Sequence, residues 1–155
     1  MSEKLPGMLS KAQLSQMVKK GEIETVMLLF TDHYGRFMGK RLDGDFFLEE
    51  ASKHGTHACD YLLTVDMENE PVPGYRLANW EKGYGDFHMV PDFATLRLAS
   101  WLDKTALIIC DLENDKTGGP VTQGPRSILR RQIEKCAGMG FTALAASELE
   151  YYIFQ

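Results

Sequence analysis

The stretch Ser147-Glu148-Leu149-Glu150-Tyr151-Tyr152-Ile153-Phe154 places two acidic side chains in a run of aromatic and aliphatic residues. Such a composition is typical of a β-strand. Because side chains alternate across a strand, both glutamates share one face with two aromatic residues, and three apolar residues occupy the other. Apolar side chains on both faces indicate a central strand, and we predict that it runs from residue 141 to residue 154.

Two carboxylates on one face of a buried strand are costly, since like charges repel and each loses its hydration. A hard divalent cation such as Mg²⁺ or Mn²⁺ removes this cost, because it prefers carboxylate oxygens and the i, i+2 spacing lets both side chains converge. Glu148 and Glu150 are therefore candidate metal ligands. Two other interpretations stay open on spacing alone: acids at an exposed strand end, or acids paired with arginines.

The composition is that of a globular domain and excludes several classes of function. The 155 residues are 44% hydrophobic and 25% charged, with a formal net charge of −5, which argues against a nucleic-acid partner. The apolar runs are too short to span a bilayer and the N-terminus shows no signal peptide, so we expect a cytoplasmic protein with no membrane partner. The three cysteines lack metal-binding spacing and are expected to be buried and reduced: Cys59, Cys110 and Cys136.

The first half of the chain predicts a helix, a hairpin and a second helix. Ser10 and Gln13 have the spacing of a capping box, and Gly21 ends the first helix. The runs 25–30 and 36–42 flank turn residues and predict a β-hairpin. Asp43 or Asp45 can cap the second helix, which we expect to end near Gly55. The apolar run 59–66 predicts a further strand.

The second half begins with a long segment, 68–92, that is rich in proline and glycine and also contains Trp80 and Tyr84. Its length and its aromatic residues favour a functional loop over disorder. Strands are then predicted over 95–101 and 105–112, joined by a turn at Asp103-Lys104. The polar segment 113–124 predicts a linker, and Pro125 suits the first turn of a following helix.

Four segments together resemble the glutamine synthetase superfamily. The stretch 147–154 is similar to the first metal-ligand strand of that family, and the segment from Gly85 to Thr95 is similar to its D-x-x-x-x-P-D-x-x-T motif. Pro125-Arg126-Ser127-Ile128-Leu129 resembles its P-R-x-x-L helix start, and Phe30-x-Asp32-x-x-Gly35 with Lys40 resembles its first hairpin. Order and spacing agree from about residue 25 to the end, so the set is far more specific than any single motif.

The resemblance implies an α+β fold with an N-terminal β-grasp domain followed by the first helix and strand of a glutamine-synthetase-type catalytic domain. We place a helical segment at 1–23, the β-grasp domain at 24–113 and the start of an incomplete catalytic domain at 114–155. Family chains are roughly three times longer. The resemblance therefore implies a truncated chain that has no ligase activity by itself.

The resemblance also implies the reaction and its participants. ATP would phosphorylate the γ-carboxyl of glutamate, and ammonia or a small amine would displace the phosphate, with Mg²⁺ or Mn²⁺ held partly by Glu148 and Glu150. Asp86 matches a family aspartate near the amine site, although a turn-capping role before a strand explains it equally well. Members of the family form homo-oligomeric rings, and the resemblance implies that the segment 68–92 completes the active site of the neighbouring subunit.

One departure from the family concerns this loop. Ammonia-using members carry F-D-G-S-S-x-x-G-W, whereas this chain has Val72-Pro73-Gly74-Tyr75-Arg76-Leu77-Ala78-Asn79-Trp80. Gly74 and Trp80 align, but Pro73 stands in the place of the ammonium-site aspartate, and Tyr75 and Arg76 stand in the places of the serines. Since proline cannot accept a proton, a larger amine is favoured over ammonia as substrate.

A second hypothesis belongs to a different class of function. The chain could be a non-catalytic β-grasp interaction module, or a structural relative, that assembles with full-length homologues. Assembly with such a partner distinguishes the two hypotheses better than metal binding does.

Overall fold

The computed structural model describes residues 7–81 and 83–155. Helix α1 (Lys11–Lys19) begins at the predicted capping box: the Ser10 hydroxyl accepts the Gln13 N–H at 3.2 Å, and the Gln13 side chain accepts the Ser10 N–H at 2.9 Å. Leu14 and Val18 are buried on its inner face. Gly21, with φ +69°, follows the helix and supports the left-handed turn that leads into the sheet.

Strands β1 (Thr25–Thr31) and β2 (Phe37–Asp43) form the predicted antiparallel hairpin, in register from Thr25 opposite Asp43 to Thr31 opposite Phe37. Gly39 is required in β2, because a Cβ there would collide with the Leu28 carbonyl and its φ is +151°. The hairpin prediction is therefore confirmed.

The second helix follows β2 without a break. It consists of α2 (Gly44–Phe46), a π-helical turn (Phe47–Ala51) and α3 (Ser52–His54). Of the two predicted caps the structure selects Asp43, whose carboxylate accepts the N–H groups of Asp45 and Phe46. Gly55 ends the helix with φ +66°, as predicted.

Within the described part of the chain, the remaining strands complete a six-stranded mixed sheet in the order β2-β1-β6-β4-β3, with β5 paired to β6. Their bounds are β3 (Thr56–Cys59), β4 (Asp86–Pro91), β5 (Arg97–Leu98) and β6 (Thr105–Asn114). The pair β1–β6 is parallel, and the other strand pairs are antiparallel. Helix α4 (Pro125–Gly138) begins with Pro125 in its first turn, as predicted.

Strand β1 is buried on both faces and divides the apolar side chains into two clusters. Val26, Leu28 and Phe30 join the main core, which also contains residues of α1 and of the second helix. Met27 and Leu29 belong to a smaller cluster on the opposite face. Two helices on one face of a mixed sheet give the α+β class that we predicted.

Three strand boundaries differ from the prediction. The run 59–66 is not a strand: β3 ends at Cys59 and a 3₁₀ turn (Asp60–Leu63) follows, because a short apolar run without periodicity does not distinguish the two. The predicted loop 68–92 contains β4, where Phe87 and Met89 alternate into the core. The predicted strand 95–101 is reduced to β5, since Thr95 belongs to another 3₁₀ turn (Phe93–Thr95).

The predicted final strand, 141–154, is wrong for this structure. Residues 141–155 have no regular secondary structure, and all of them are exposed. A strand is stabilised by hydrogen bonds to a neighbouring strand. Among the residues that the structure describes, none forms a strand alongside this segment, so its alternating pattern has no sheet to join.

Candidate functional site

Two of the recognised motifs meet in one ion-pair network at the start of α4. Arg126 donates from Nη2 to Asp92 Oδ2 at 2.6 Å and from Nε to Asp111 Oδ1 at 3.0 Å. Arg130, one helical turn later, donates from Nη2 to Asp111 Oδ2 at 2.7 Å. Arg126 therefore joins the Pro91-Asp92 segment to β6 and fixes the start of α4 against the sheet.

The charge state of this network follows from its hydrogen bonds. Burial alone would raise the pKa of Asp111, but hydrogen bonds from Arg130 and Arg126 and the positive charges of both outweigh it. The pKa of Asp111 is accordingly below its ordinary value. Asp111 therefore stays ionised around neutral pH, which keeps the ion pairs intact.

The hairpin motif forms a second buried network. Asp32 is 3% exposed, and its carboxylate accepts the backbone N–H groups of Tyr34 and Arg36 and the Nε–H of Arg36. The guanidinium of Arg36 also donates to the carbonyls of Asp66 and Met67. These contacts tie the hairpin turn to the segment that opens the long loop. We keep the name long loop for residues 68–81 and 83–85, which precede β4.

The long loop encloses an open cleft of about 640 Å³. Its lining includes all four loop residues that we singled out, Gly74, Tyr75, Arg76 and Trp80, and also Pro73. A second cleft, of about 400 Å³, lies between the loop and α4, and Tyr75 and Arg76 line it too. The first volume is in the range of small-molecule sites.

Three aromatic rings form a row along the end of the loop. Trp80 packs edge-to-face on Tyr84 with ring centroids 5.3 Å apart, and Tyr84 packs edge-to-face on Tyr61 at 5.5 Å. The Trp80 side chain is 85% exposed although it belongs to this row. The row thus presents an indole to solvent at the edge of the cleft.

The predicted catalytic and metal-binding residues lie in different surroundings. Asp86 is exposed at the first position of β4, opposite Cys59 and two residues beyond the cleft-lining Tyr84. Glu148 and Glu150 lie in the exposed segment 141–155, and neither forms a hydrogen bond or ion pair with the described residues. Asp86 itself does not line the cleft, and no contact among the described residues joins it to the two glutamates.

The carboxylates of Glu148 and Glu150 have the oxygen donors that Mg²⁺ and Mn²⁺ prefer. Within 7–81 and 83–155, however, no group of three or more ligating side chains is close enough to hold a metal ion. Two ligands from one segment leave most of a six-coordinate shell unfilled. Their role as metal ligands stays a prediction.

Two sets of residues were missed in the sequence. The partners of Arg126 carried a signal in their opposite charges, but nothing in their spacing joined Asp111 to α4. Tyr61 and Asp60 lie in the run that we predicted as a strand, so their position beside the loop could not be seen. All three cysteines are free: Cys110 is buried, which raises the pKa of its thiol to about 12, whereas Cys59 and Cys136 are only partly buried.

Comparison with known proteins gives relatives over most of this chain. It is 47% identical over 143 residues to "Gamma-glutamylethanolamide synthetase GlnA4" of Streptomyces coelicolor, covering 92% of this chain and 31% of that protein. It is 33% identical over 141 residues to "Glutamate--isopropylamine ligase" of a Pseudomonas species, covering 91% and 30% respectively. "Type-1 glutamine synthetase 2" of Dictyostelium discoideum is 27% identical, with 87% and 26% covered. No family model matches the chain.

Solved structures show the same fold. Those of GmaS, as an ADP complex and without ligand, match with a TM-score of 0.60 at 20% identity, covering 81% of this chain and 26% of theirs. The fold is thus that of the N-terminal region of a glutamine synthetase-type enzyme, consistent with the β-grasp domain that we predicted. The chain belongs to the glutamine synthetase superfamily and groups with its amine-ligase members. It spans between about a quarter and a third of the length of these relatives. Among its described residues, no helix is long and apolar enough to cross a membrane.

Proposed function

We propose that this chain is the N-terminal part of an ATP-dependent ligase that joins the γ-carboxyl of glutamate to a small amine. The observation that carries the proposal is the 47% identity, over 92% of the chain, to a protein named for γ-glutamylethanolamide synthesis. The cleft in the long loop agrees with it, because its volume and lining suit a small organic molecule.

The proposed reaction has two steps, a phosphoryl transfer followed by an acyl transfer. The γ-carboxylate of glutamate attacks the terminal phosphorus of ATP and releases ADP, which leaves an acyl phosphate. The amine nitrogen then attacks the activated carbonyl carbon, phosphate leaves and the nitrogen loses a proton. A divalent ion, when bound, neutralises the charge on the phosphates. Glu148 and Glu150 would hold Mg²⁺ or Mn²⁺ together with ligands from the rest of the protein.

The loop favours an amine over ammonia. Pro73 lines the cleft where the family places an aspartate, and proline offers neither a charge for ammonium nor a base for its proton. Tyr75, Trp80 and Tyr84 provide aromatic walls beside it. Such walls bury the carbon atoms of an alkyl or hydroxyalkyl amine, and ammonia has none.

Asp86 would be the proton acceptor for the attacking amine. Its exposed carboxylate lies close in sequence to Tyr84, and a positioned carboxylate is a suitable general base. In a homo-oligomeric ring, the loop and Asp86 would complete the active site of the neighbouring subunit. This chain alone would then lack ligase activity, and the complete enzyme would work in the cytoplasm.

The test uses the full-length protein that carries this sequence, assayed with ATP, glutamate and Mg²⁺. We expect kcat/KM for ethanolamine or an alkylamine to exceed that for ammonium by at least about tenfold, which corresponds to about 1.4 kcal/mol. Equal turnover of ammonium and alkylamine would overturn the preference. Pro73→Asp should shift the ratio toward ammonium, whereas the matched variant Pro71→Asp, in the same cleft, should not.

The exposed apolar side chains favour a second candidate function, that of an assembly module. Ile128, Leu129 and Ile133 on α4 are 41%, 60% and 49% exposed, and the segment 141–155 is exposed throughout. Surfaces of this kind are typical of protein interfaces. Native mass spectrometry of this chain mixed with a full-length homologue distinguishes the two functions: incorporation into the ring without any change in ligase activity would favour the module.

A further inference from the structure

We infer that Tyr61, together with the backbone of Asp60, is a positioning residue that fixes the C-terminal end of the long loop and thereby sets where Trp80 stands. The inference deepens the proposed function and rests on it for its meaning, since it concerns the loop assigned there to the amine. Its geometry is independent of any activity.

The backbone tie is short and direct. The N–H of Asp60 donates to the carbonyl of Gly85 at 2.9 Å, immediately before β4 begins at Asp86. Gly85 lets the two segments approach closely, because a Cβ at that position would lie 3.3 Å from Asp60 Oδ2. The loop end is therefore held against the first residue of the 3₁₀ turn, and not only by its own connection to β4.

Ring contacts connect this backbone hydrogen bond to Trp80. Tyr61 directly follows Asp60, and its ring lies edge-to-face on Tyr84, which directly precedes Gly85. Tyr84 in turn supports Trp80, whose indole is otherwise mostly surrounded by solvent. An exposed side chain held mainly by one ring contact depends on what holds that ring. Tyr61 does so from a separate part of the chain.

The Asp60 side chain is a weak point beside this contact. Its Oδ1 is buried and accepts no hydrogen bond among the described residues. Burial raises the pKa of Asp60, the charge of Asp86 raises it further, and hydrogen bonds from the backbone of Gly85 and Tyr61 and the charge of Lys116 act in the opposite direction. The geometry that carries the inference is the backbone N–H of Asp60 and the ring of Tyr61, and it does not depend on the charge of the Asp60 side chain.

The test is a ¹H–¹⁵N spectrum of this chain. The two tryptophans give two indole N–H signals, Trp80 in the loop and Trp101 outside it as an internal control. We expect Tyr61→Leu to move the Trp80 signal toward its position in an unstructured peptide and to leave the Trp101 signal in place. Tyr61→Phe, which keeps the ring, should leave both signals unchanged. A Trp80 signal that does not move in Tyr61→Leu overturns the inference.

A second variant guards against loss of fold. If Tyr61→Leu shifts both signals, the milder Tyr61→Met replaces it, alone and in a double variant with Tyr84→Leu, and Tyr84→Leu alone serves as the reference. Because Tyr61 acts through Tyr84, the double variant should shift Trp80 no further than Tyr84→Leu does; additive shifts would contradict the inference.

The consequence for the proposed function is measured separately. In the full-length ligase, Tyr61→Leu should raise KM for the amine by about three- to tenfold while leaving kcat within about twofold, in keeping with the energy of one aromatic pair. An inactive full-length protein with the expected spectral shifts would refute the proposed function and leave the positioning intact.

Discussion

The network around Arg126 and the long loop both contain recognisable family motifs. They differ in whether the side chains of those motifs contact partners within the chain or face solvent. Asp92, Asp111 and Arg126 find their partners within the chain, at 2.6 and 3.0 Å. The loop and the segment 141–155 instead present Trp80, Glu148 and Glu150 to solvent. A recognisable motif can thus hold the domain together or be displayed for something outside it, and the completeness of its contacts distinguishes the two.

The largest effect is expected at Arg126. Arg126→Met removes both charge-assisted hydrogen bonds and leaves the half-buried Asp92 without its cation, so the free energy of unfolding should fall by about 2 kcal/mol. Urea denaturation of this chain measures it. The matched control is Arg131→Met on the same helix, which loses one exposed hydrogen bond to a carbonyl and should cost less than about 1 kcal/mol. An equal loss of unfolding free energy in the two variants would mean that the ion pairs of Arg126 do not stabilise the fold.

The next effect is a loss of stability in acid. Burial alone would raise the pKa of Asp32, but hydrogen bonds from Arg36 and Tyr34 lower it below its ordinary 3.8. A carboxyl whose pKa is lowered by folding contributes stability above its unfolded pKa, and this is lost as the pH falls through the folded value. Stability should therefore decline below about pH 4.

Asp32→Asn is the variant that tests this assignment. It should be less stable than the parent at pH 7, by about 1–2 kcal/mol, and the difference should shrink as the pH is lowered below about 4. Denaturant midpoints at several pH values measure both quantities. A difference that is constant with pH would show that the charge of Asp32 contributes nothing to folding.

An element of the fold is predictable from the sequence when the residues that determine it are neighbours in the chain. The capping box at Ser10, the hairpin and Pro125 at the start of α4 were predicted because each rests on neighbouring residues. The 3₁₀ turn at Asp60 and the short β5 were not, since tertiary contacts decide them. The segment 141–154 has the pattern of a strand, but pattern alone supplies no neighbouring strand, and in this structure it stays irregular.

The residues of the candidate site also differ in whether a local sequence signal identifies them. The loop residues Tyr75, Arg76 and Trp80 were found because they depart from or match a family motif. Tyr61 belongs to the site only through a ring contact to Tyr84, more than twenty residues later in the chain. Contacts between residues so far apart in the chain leave no trace in local sequence spacing, so only the three-dimensional structure reveals them.

A smaller effect, of opposite sign, is expected beside the loop. The pKa of Asp60 is raised, chiefly by burial, so its contribution to stability is present below the unfolded pKa and is lost as the pH rises through the folded value. Asp60→Asn should therefore stabilise the chain at pH 7 by up to about 1 kcal/mol, with no gain well below pH 4. Thermal unfolding measures it, with the exposed Asp103→Asn as control. A destabilised Asp60→Asn variant would mean that the ionised carboxylate has a favourable partner.

The smallest effect is expected in the exposed segment 141–155. The double variant Glu148→Gln, Glu150→Gln should change the free energy of unfolding by no more than about 0.5 kcal/mol, because both side chains are exposed and unpaired among the described residues. Mn²⁺ should leave the Tm of parent and variant equally unchanged, since two carboxylates do not complete a coordination shell. A rise in Tm with Mn²⁺ in the parent alone would show that the chain closes a metal site by itself. The two glutamates, like Arg126, would then belong to a motif whose contacts are completed within the chain.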